Sequence, residues 1–496
     1  MTKRLSTGIA GLDEVLLGGL LPGQVYMVRG QPGAGKTTLA LQFLIEGARL
    51  GEPVLFVTLS ESESELRANA ASHGRDLAGV DFLDLCLGGE GLSPDNRYTI
   101  FHPADVELEP MARRITETMG RLRPVRVAFD SLTEVRLLSR DPLHYRRQLL
   151  TLKSYLLSGR VTTLFLGESA SQERDVEVAS IVQGVVALNL TKGGEGMVRR
   201  SVEVEKRRGG AFLEGEHALR IERGGLVVYP RLTPGDRGRP FERSRLGSGI
   251  EGLDRMLGGG LDRGTSTLLT GNAGVGKTTL GVAFLAVAAR SGDRCAVYTF
   301  DEGRAEIEGR SEAVGLEVRD LIDRDLLRIR KVNPLLLYPD EFAAWVRAEV
   351  EGRGTRVVMI DSLNGYRQSM PDEGFLVGHM HQLLGYLNQM GVTTLLVNEV
   401  PNLTGDFAAT QFGLSYLVDT VVVLKYYEHG GALHKAIGVL KKRLGDHEKT
   451  LHEFDVTPTG IRVGGPLPQL RGILRGEAEA RGPGPGPEVV GGLADG

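Results

Sequence analysis

Short apolar runs alternate along the chain with longer segments in which apolar residues recur at the spacing of a helix. The runs occupy residues 25–28, 54–59, 125–129 and 161–166 in the first half, and 266–269, 295–300, 357–360 and 392–398 in the second. Residues 39–50 and 280–290 follow the first run of each half and have the helical period. Strands this apolar need cover on both faces, so the pattern predicts an α/β fold with a mainly parallel sheet flanked by helices in each half.

The two halves are copies of one unit. The segment STGIAGLD at residues 6–13 recurs as GSGIEGLD at residues 247–254, an offset of 241 residues (247 − 6). Pro, Gly and charged residues replace the apolar pattern at 230–245, where a linker is expected. We therefore expect one domain at residues 1–238, a second at 239–466, and a disordered Gly/Pro-rich tail at 467–496.

Each half contains a glycine-rich loop of the form GxxxxGKT, at residues 30–37 and 271–278, between a predicted strand and a predicted helix. Glycines let successive backbone N–H groups turn toward phosphate oxygens, and the lysine of the loop reaches the terminal phosphates. The sequence thus predicts two P-loop NTPase sites. The expected ATP-binding residues are Gly33, Ala34, Gly35, Lys36, Thr37, Thr38, Gly274, Val275, Gly276, Lys277, Thr278 and Thr279.

A Mg²⁺ site is expected beside each P-loop. Thr37 and Thr278 offer hydroxyl groups, and Asp130 and Asp361 end two apolar runs in corresponding places. A carboxylate at the carboxyl end of a buried strand can hold Mg²⁺ beside the P-loop hydroxyl, so ATP and Mg²⁺ are the predicted substrate and cofactor. The alternative is that each aspartate only caps the following helix.

Hydrolysis also needs a group that orients or deprotonates water, and carboxylates follow the second predicted strand of each half. Glu61 is the candidate in the first half, and Asp301 with Glu302 in the second. The halves differ here, because Ser60 stands where the second half has Asp301. For Glu61 the alternative is a role in helix capping within residues 60–65.

The paired P-loops, the leading GIxGLD segments and the two Asp-Ser-Leu strand ends together resemble the KaiC family, over about residues 5–463. The resemblance implies tandem RecA-like domains, a homohexamer with ATP between subunits, ATPase activity and autokinase activity. It also implies that a Lys-x-Arg pair on a late strand contacts the γ-phosphate of the neighbouring subunit. The matching residues are Lys206, Arg208, Lys441 and Arg443.

Other interpretations of the basic residues remain. Together with Arg199 and Arg200, Lys206 and Arg208 are also compatible with a nucleic-acid patch or a solvated strand edge.

The resemblance also assigns a phosphorylation segment to residues 412–420. Ser415 matches the serine of the family's Ser-Thr pair, but Tyr416 stands where threonine is expected. Ser415 is the predicted modification site, with Thr410 as a second candidate, and a two-site phosphorylation cycle is not expected.

Composition narrows the function further. The net charge is −4, from 59 basic and 63 acidic residues, so nucleic acid is not an expected partner. With only two cysteines and no apolar run of about 20 residues, a cytoplasmic protein without a membrane span is expected. The predicted function is a KaiC-like ATPase in signalling or timing, with regulatory protein partners. The alternatives are a RecA-like DNA-dependent ATPase and a nucleotide-gated scaffold with weak catalysis.

Overall fold

The computed structural model describes residues 4–86, 105–137, 142–168, 178–192, 197–233, 238–370, 372–400, 414–475 and 478–480. The chain divides into two compact units, Met1–Arg231 and Leu232–Gly496. Arg239 belongs to the second unit, and its N–H donates to the Gln389 carbonyl over 3.1 Å. A boundary after residue 238 stays a prediction.

The first unit contains one nine-stranded sheet. Its strands are β1 (Val25–Gly30), β2 (Val54–Thr58), β3 (Asp81–Asp84), β4 (Arg126–Asp130), β5 (Thr162–Glu168), β6 (Gly184–Lys192), β7 (Val198–Arg207), β8 (Glu216–Glu222) and β9 (Gly225–Tyr229). They are ordered β3-β2-β4-β5-β1-β6-β7-β8-β9, parallel from β3 to β6 and antiparallel from β6 to β9. The helices are Ala10–Val15, Lys36–Arg49, Glu63–Ser72, Asp105–Leu122, Leu132–Leu137 and Pro142–Ser158.

The second unit repeats this sheet. The short strands β10 (Arg245–Leu246) and β11 (Leu261–Asp262) pair first. The main sheet comprises β12 (Ser266–Gly271), β13 (Cys295–Thr299), β14 (Leu327–Lys331), β15 (Val357–Asp361), β16 (Thr393–Glu399), β17 (Thr420–His429), β18 (Ala432–Lys442), β19 (His452–Thr457) and β20 (Gly460–Pro466). Its order, β14-β13-β15-β16-β12-β17-β18-β19-β20, is that of the first sheet position by position.

Helices cover the faces of the second sheet. They are Glu251–Met256, Lys277–Arg290, Arg304–Ala313, Val318–Asp323, Pro339–Arg353, Leu363–Arg367 and Glu373–Gln389, with a 3₁₀ turn at Leu414–Tyr416. The prediction of two α/β domains with mainly parallel sheets is confirmed. The antiparallel extensions were not predicted, because strands such as β7 carry charged residues on their exposed face and lack a continuous apolar run.

The C-terminal segment differs from the expected tail at its start. Strands β21 (Leu470–Arg471) and β22 (Glu479–Ala480) pair, with a 3₁₀ turn at Ile473–Arg475 between them. Ile473 is only 2% exposed and packs against Tyr427 and Ala436, so local burial orders this stretch despite its glycines. Residues 481–496 lie outside the described part of the chain, and their disorder stays a prediction.

The central strand of each sheet positions a P-loop. Strands β1 and β12 each lie between two parallel neighbours, and their carboxyl ends lead into the glycine-rich loops. Helix Lys277–Arg290 is buried along most of its length, which fixes the start of the helix against the sheet. Among the described helices, none is both long and apolar enough to cross a membrane.

Candidate active sites

Glycine is required at several P-loop positions of the second half. Gly274 and Gly276 have φ of +72° and +115°, a region that residues with a side chain rarely adopt. A Cβ on Gly271 would lie 2.0 Å from the Leu424 carbonyl oxygen, so the loop can leave the sheet only from a glycine. The helix begins at Lys277, and its first N–H groups lie at the mouth of the loop.

The P-loop lysines contact carbonyl groups of their own loops. Lys277 is 6% exposed, and its ammonium donates to the Asn272 carbonyl over 2.6 Å. Burial lowers the pKa of Lys277, opposed by the charges of Glu399 and Asp361. In the first half Lys36 donates to the Gly30 carbonyl over 2.8 Å.

Each expected metal pair is brought together by a hydrogen bond. The Thr37 hydroxyl donates to Asp130 Oδ2 over 2.6 Å, and the Thr278 hydroxyl donates to Asp361 Oδ2 over the same 2.6 Å. Burial raises the pKa of Asp361 to about 6, against the hydrogen bond from Thr278. Burial also raises the pKa of Asp130. A carboxylate that is costly to charge in isolation gains from a nearby cation.

A cavity of about 350 Å³ opens around the second P-loop. Its walls include the expected residues Lys277, Thr278, Asp361, Asp301 and Glu302. The walls also include four residues that were not predicted from the sequence: Thr299, Arg310, Ser362 and Glu399. Glu399 ends β16, the strand beside β12, and a charged residue at the end of an apolar run was the available signal.

The candidate catalytic carboxylates have different partners in the two halves. In the second half both terminal nitrogens of Arg310 donate hydrogen bonds to Glu302, over 2.5 Å to Oε1 and 2.6 Å to Oε2. Asp301 Oδ2 accepts from the Ser362 hydroxyl over 3.2 Å.

The first half has a neutral partner at the matching position. Glu61 Oε2 accepts a hydrogen bond from the side-chain amide of Asn69, over 3.2 Å from Nδ2. Glu302 and Arg310 lie 241 residues after Glu61 and Asn69 (302 − 61 and 310 − 69), so the same two positions are used in both copies.

Strand β7 in the first half and strand β17 in the second also bring side chains to the P-loops, and these side chains differ between the halves. In the first half Arg200 Nε donates to the Gly33 carbonyl over 3.1 Å. In the second half a Cβ on Gly274 would lie 3.5 Å from the Tyr426 hydroxyl. Lys435 Nζ lies 5.7 Å from the centre of the Tyr426 ring. Neither contact was predicted from the sequence.

Four basic residues are expected, from the KaiC resemblance, to contact the γ-phosphate of a neighbouring subunit. They lie at the opposite end of the sheet from the P-loop of their own half. In the second half Lys442 lies between Lys441 and Arg443 in the sequence. It pairs with Thr420 on β17, which in turn pairs with Thr267 on the central strand β12. Four residues, or about 13 Å of strand, separate Thr267 from Gly271, where the P-loop starts. In the first half Arg207 lies between Lys206 and Arg208. It pairs with Gly184 on β6, which pairs with Tyr26 on the central strand β1.

These cations bind backbone carbonyls at that end. Lys441 Nζ donates to the carbonyls of Ser415 and Val418 over 3.0 and 2.7 Å, and Arg443 Nη2 donates to Tyr416 over 2.5 Å. In the first half Lys206 Nζ donates to Val182 over 3.0 Å and Arg208 Nη2 to Ser180 over 3.3 Å. Burial lowers the pKa of Lys206 and of Lys441. The structure therefore does not bring these residues to the P-loop of their own half.

The predicted modification site is in the same region. Ser415 is half-buried in the 3₁₀ turn Leu414–Tyr416, and the Tyr416 side chain is 58% exposed. Thr410 lies outside the described residues.

Comparison with known proteins gives a consistent result across both halves. A family model described as the KaiC ATPase matches residues 5–233 and 246–467. The chain is 29% identical over 487 residues to the circadian clock oscillator protein KaiC of Thermostichus vulcanus, covering 96% of this chain and 91% of that protein. It is 28% identical over 474 residues to the circadian clock oscillator protein KaiC of a Picosynechococcus species, covering 93% and 89%. It is 27% identical over 487 residues to the circadian clock protein KaiC3 of a Synechocystis species, covering 96% and 94%.

Proposed function

The chain belongs to the KaiC family of ATPases, and from that premise we propose that each half binds ATP with Mg²⁺ and hydrolyses it to ADP and phosphate. The observation that carries the proposal is the pair of threonine–aspartate hydrogen bonds at the two P-loops, each 2.6 Å long. The presence of the same buried contact in both copies supports nucleotide chemistry in each half.

The residues at both P-loops fit Mg²⁺. Hydroxyl and carboxylate oxygens are ligands that this hard cation prefers, and the raised pKa of Asp361 indicates a carboxylate that gains from a cation. Thr37 with Asp130, and Thr278 with Asp361, would hold the ion. When bound, Mg²⁺ neutralises charge on the phosphate oxygens of ATP.

The chain's own side chains supply the remaining groups. Lys36 and Lys277 exchange their carbonyl contacts for oxygens of the terminal phosphates. Glu61 in the first half, and Glu302 with Asp301 in the second, orient the attacking water. Asp301 and Glu302 line the same cavity as Lys277 and Thr278, which supports their role.

ATP hydrolysis in this proposal is completed between subunits of a homohexamer. Lys206, Arg208, Lys441 and Arg443 lie too far from their own P-loops to serve them, because they are at the amino-terminal end of the central strands. Head-to-tail contacts can close into a ring, and the proposal places that end of one subunit against the P-loop end of the next. The cations then neutralise charge on the neighbour's γ-phosphate.

Phosphate release from ATP tests the proposal. The double variant Lys36→Ala, Lys277→Ala should lose Mg²⁺-dependent turnover, because each substitution removes the cation that binds the terminal phosphates. Arg319→Ala, at an exposed residue paired with Glu308, is a matched control for loss of a surface cation. Turnover in the double variant equal to that of the unaltered chain would refute the proposal. Addition of single-stranded DNA should leave the rate unchanged.

Subunit mixing tests the ring. With Lys36→Ala in all chains to silence the first half, chains carrying Arg443→Ala are mixed with chains carrying Lys277→Ala. An intact P-loop next to an intact Arg443 arises only in the mixture. Turnover above that of either component is therefore expected. A mixture no faster than its components would contradict sharing of the site.

A second candidate function is self-phosphorylation of Ser415 by the ATP of a neighbouring subunit. The supporting observation is that Lys441, a proposed trans cation, donates to the Ser415 carbonyl. The modification would serve a signalling or timing role with regulatory protein partners. Incubation with γ-labelled ATP should label Ser415, and a Ser415→Ala chain should lose the label. Absence of label at residues 410–420 would remove this candidate.

A further inference from the structure

The partner of the catalytic glutamate is the clearest chemical difference between the two sites. In the second half it is a guanidinium, and in the first half it is an amide. The exchange occurs at one position, residue 69 or 310, on the helix that follows the glutamate. The second site therefore contains a cation for which the first site has no counterpart at that position.

Arg310 lies within the second nucleotide cavity. It lines the cavity with Lys277, Thr278 and Asp361. Its positive charge lowers the pKa of Asp361, while the negative charge of Glu302 raises it, so both groups lie near the expected metal ligand. The side chains of Arg310 and Glu302 are 37% and 38% exposed, and solvent therefore reaches their contact.

A guanidinium has a planar set of N–H donors that fits a carboxylate and a phosphate equally well. Glu302 and the γ-phosphate of ATP are thus alternative anions for Arg310. While both terminal nitrogens of Arg310 hold Glu302, both carboxylate oxygens are engaged, which makes Glu302 a poor acceptor for water. Asn69 donates one neutral hydrogen bond to one oxygen of Glu61 and imposes no such competition.

We infer that Arg310 is a positioning residue that senses the γ-phosphate in the second half. With ATP in the site, at least one N–H of Arg310 donates to the γ-phosphate instead of to Glu302. Glu302 is then free to orient water. With ADP, which has no γ-phosphate, Arg310 stays on Glu302. The first site lacks this coupling. The inference rests on the proposed nucleotide function of the second site and adds a specificity residue to it.

Nucleotide affinity tests the inference without requiring turnover. In full-length chains carrying Lys36→Ala, binding of Mg²⁺ with ADP is compared with binding of Mg²⁺ and the ATP analogue that has an imido bridge between the β- and γ-phosphates. Arg310→Asn introduces the residue type found in the first half. This substitution should lower the affinity for the analogue about tenfold, as expected for the loss of a charge-assisted contact. It should change the affinity for ADP less than about threefold.

Three further variants separate sensing from a structural ion pair. Arg310→Lys should recover part of the preference for the analogue, because the charge is kept and the planar fork is lost. Glu302→Gln should raise the affinity for the analogue a few-fold, because it removes the carboxylate that competes for Arg310. Arg319→Asn, on an exposed arginine outside the cavity, should change neither affinity.

The reciprocal change supplies the other half of the test. In chains carrying Lys277→Ala, Asn69→Arg should raise the first site's preference for the analogue over ADP. Equal losses of analogue and ADP affinity in Arg310→Asn, or no loss of either, would overturn the inference. Failure of the analogue and of ADP to bind the Lys36→Ala chain at all would instead refute the proposed function of the second site.

Discussion

The first and second halves have the same threonine–aspartate contact at the expected metal site and different contacts around it. Thr37 and Thr278 both donate to a strand-end aspartate over 2.6 Å. Glu61 and Glu302 stand at matching positions, yet the first accepts from an amide and the second from a guanidinium. The two copies thus keep the same threonine–aspartate contact and differ in the partner of the glutamate that, in the proposed function, orients water.

The packing behind the sites has also diverged. In the first half Leu59, Leu132 and Val135 line an apolar cavity of about 350 Å³. In the second half Phe300 and Tyr366 stand at the positions of Leu59 and Val135 (59 + 241 and 135 + 231). Their ring centroids lie 5.4 Å apart, and both rings belong to the buried core. Two buried aromatic rings therefore occupy positions at which the first half has smaller aliphatic side chains beside a cavity.

The largest expected effect is a loss of ATP turnover when the strand-end aspartate present in both halves is changed. Asp130→Asn or Asp361→Asn keeps the shape of the side chain and removes the charge that would hold Mg²⁺. Each should lower the turnover of its own half by about 100-fold, measured as phosphate release with the other half silenced by Lys→Ala at its P-loop. A loss in one half only would show that the two metal sites are not equivalent.

A smaller effect is expected from pH at the second site. Because burial raises the pKa of Asp361 to about 6, a proton competes with Mg²⁺ below that value. For this group alone, the stability of the metal-free fold is greatest at low pH and is lost as pH rises through about 6.

The same titration predicts how metal affinity changes. Affinity for Mg²⁺ with nucleotide at the second site should fall about tenfold from pH 7 to pH 5, one unit below the pKa of Asp361. Calorimetry on the Lys36→Ala chain measures this fall. The same titration of a chain that also carries Asp361→Asn corrects for protonation of the nucleotide. Identical pH profiles for the two chains would contradict the assignment of Asp361 as the titrating ligand.

The smallest effect concerns packing. Val135→Phe adds a ring at the cavity of the first half and should raise its free energy of unfolding by about 1 kcal/mol, measured by denaturant unfolding. Leu143→Phe, at a side chain that is 79% exposed, is the control and should have little effect. Destabilisation by Val135→Phe would show that the cavity walls do not accept an aromatic ring.

Most of the fold and the phosphate-binding groups were predictable from sequence because both follow local rules. Apolar runs become buried parallel strands, and GxxxxGKT between strand and helix has few other uses. Membership in the KaiC family was also predictable from motifs such as STGIAGLD and is confirmed over both halves.

The missed features depend on contacts that the fold makes between residues separated along the chain. Arg310 reaches Glu302 only because a helix brings residue 310 back toward the strand end. Arg200 reaches Gly33 across 167 residues of chain. The ordered segment around Ile473 depends on Tyr427 and Ala436, and nothing in its glycine-rich composition indicates that contact.

Phosphate release from two single P-loop variants, Lys36→Ala and Lys277→Ala, tests the central claim most directly. The claim is that both halves hydrolyse ATP through the same metal and phosphate contacts. Each variant should therefore keep Mg²⁺-dependent turnover from its intact half, and each should lose it when the strand-end aspartate of that half is changed to asparagine. If either single variant has no turnover, or if turnover survives loss of the intact half's aspartate, the account of two active sites is contradicted.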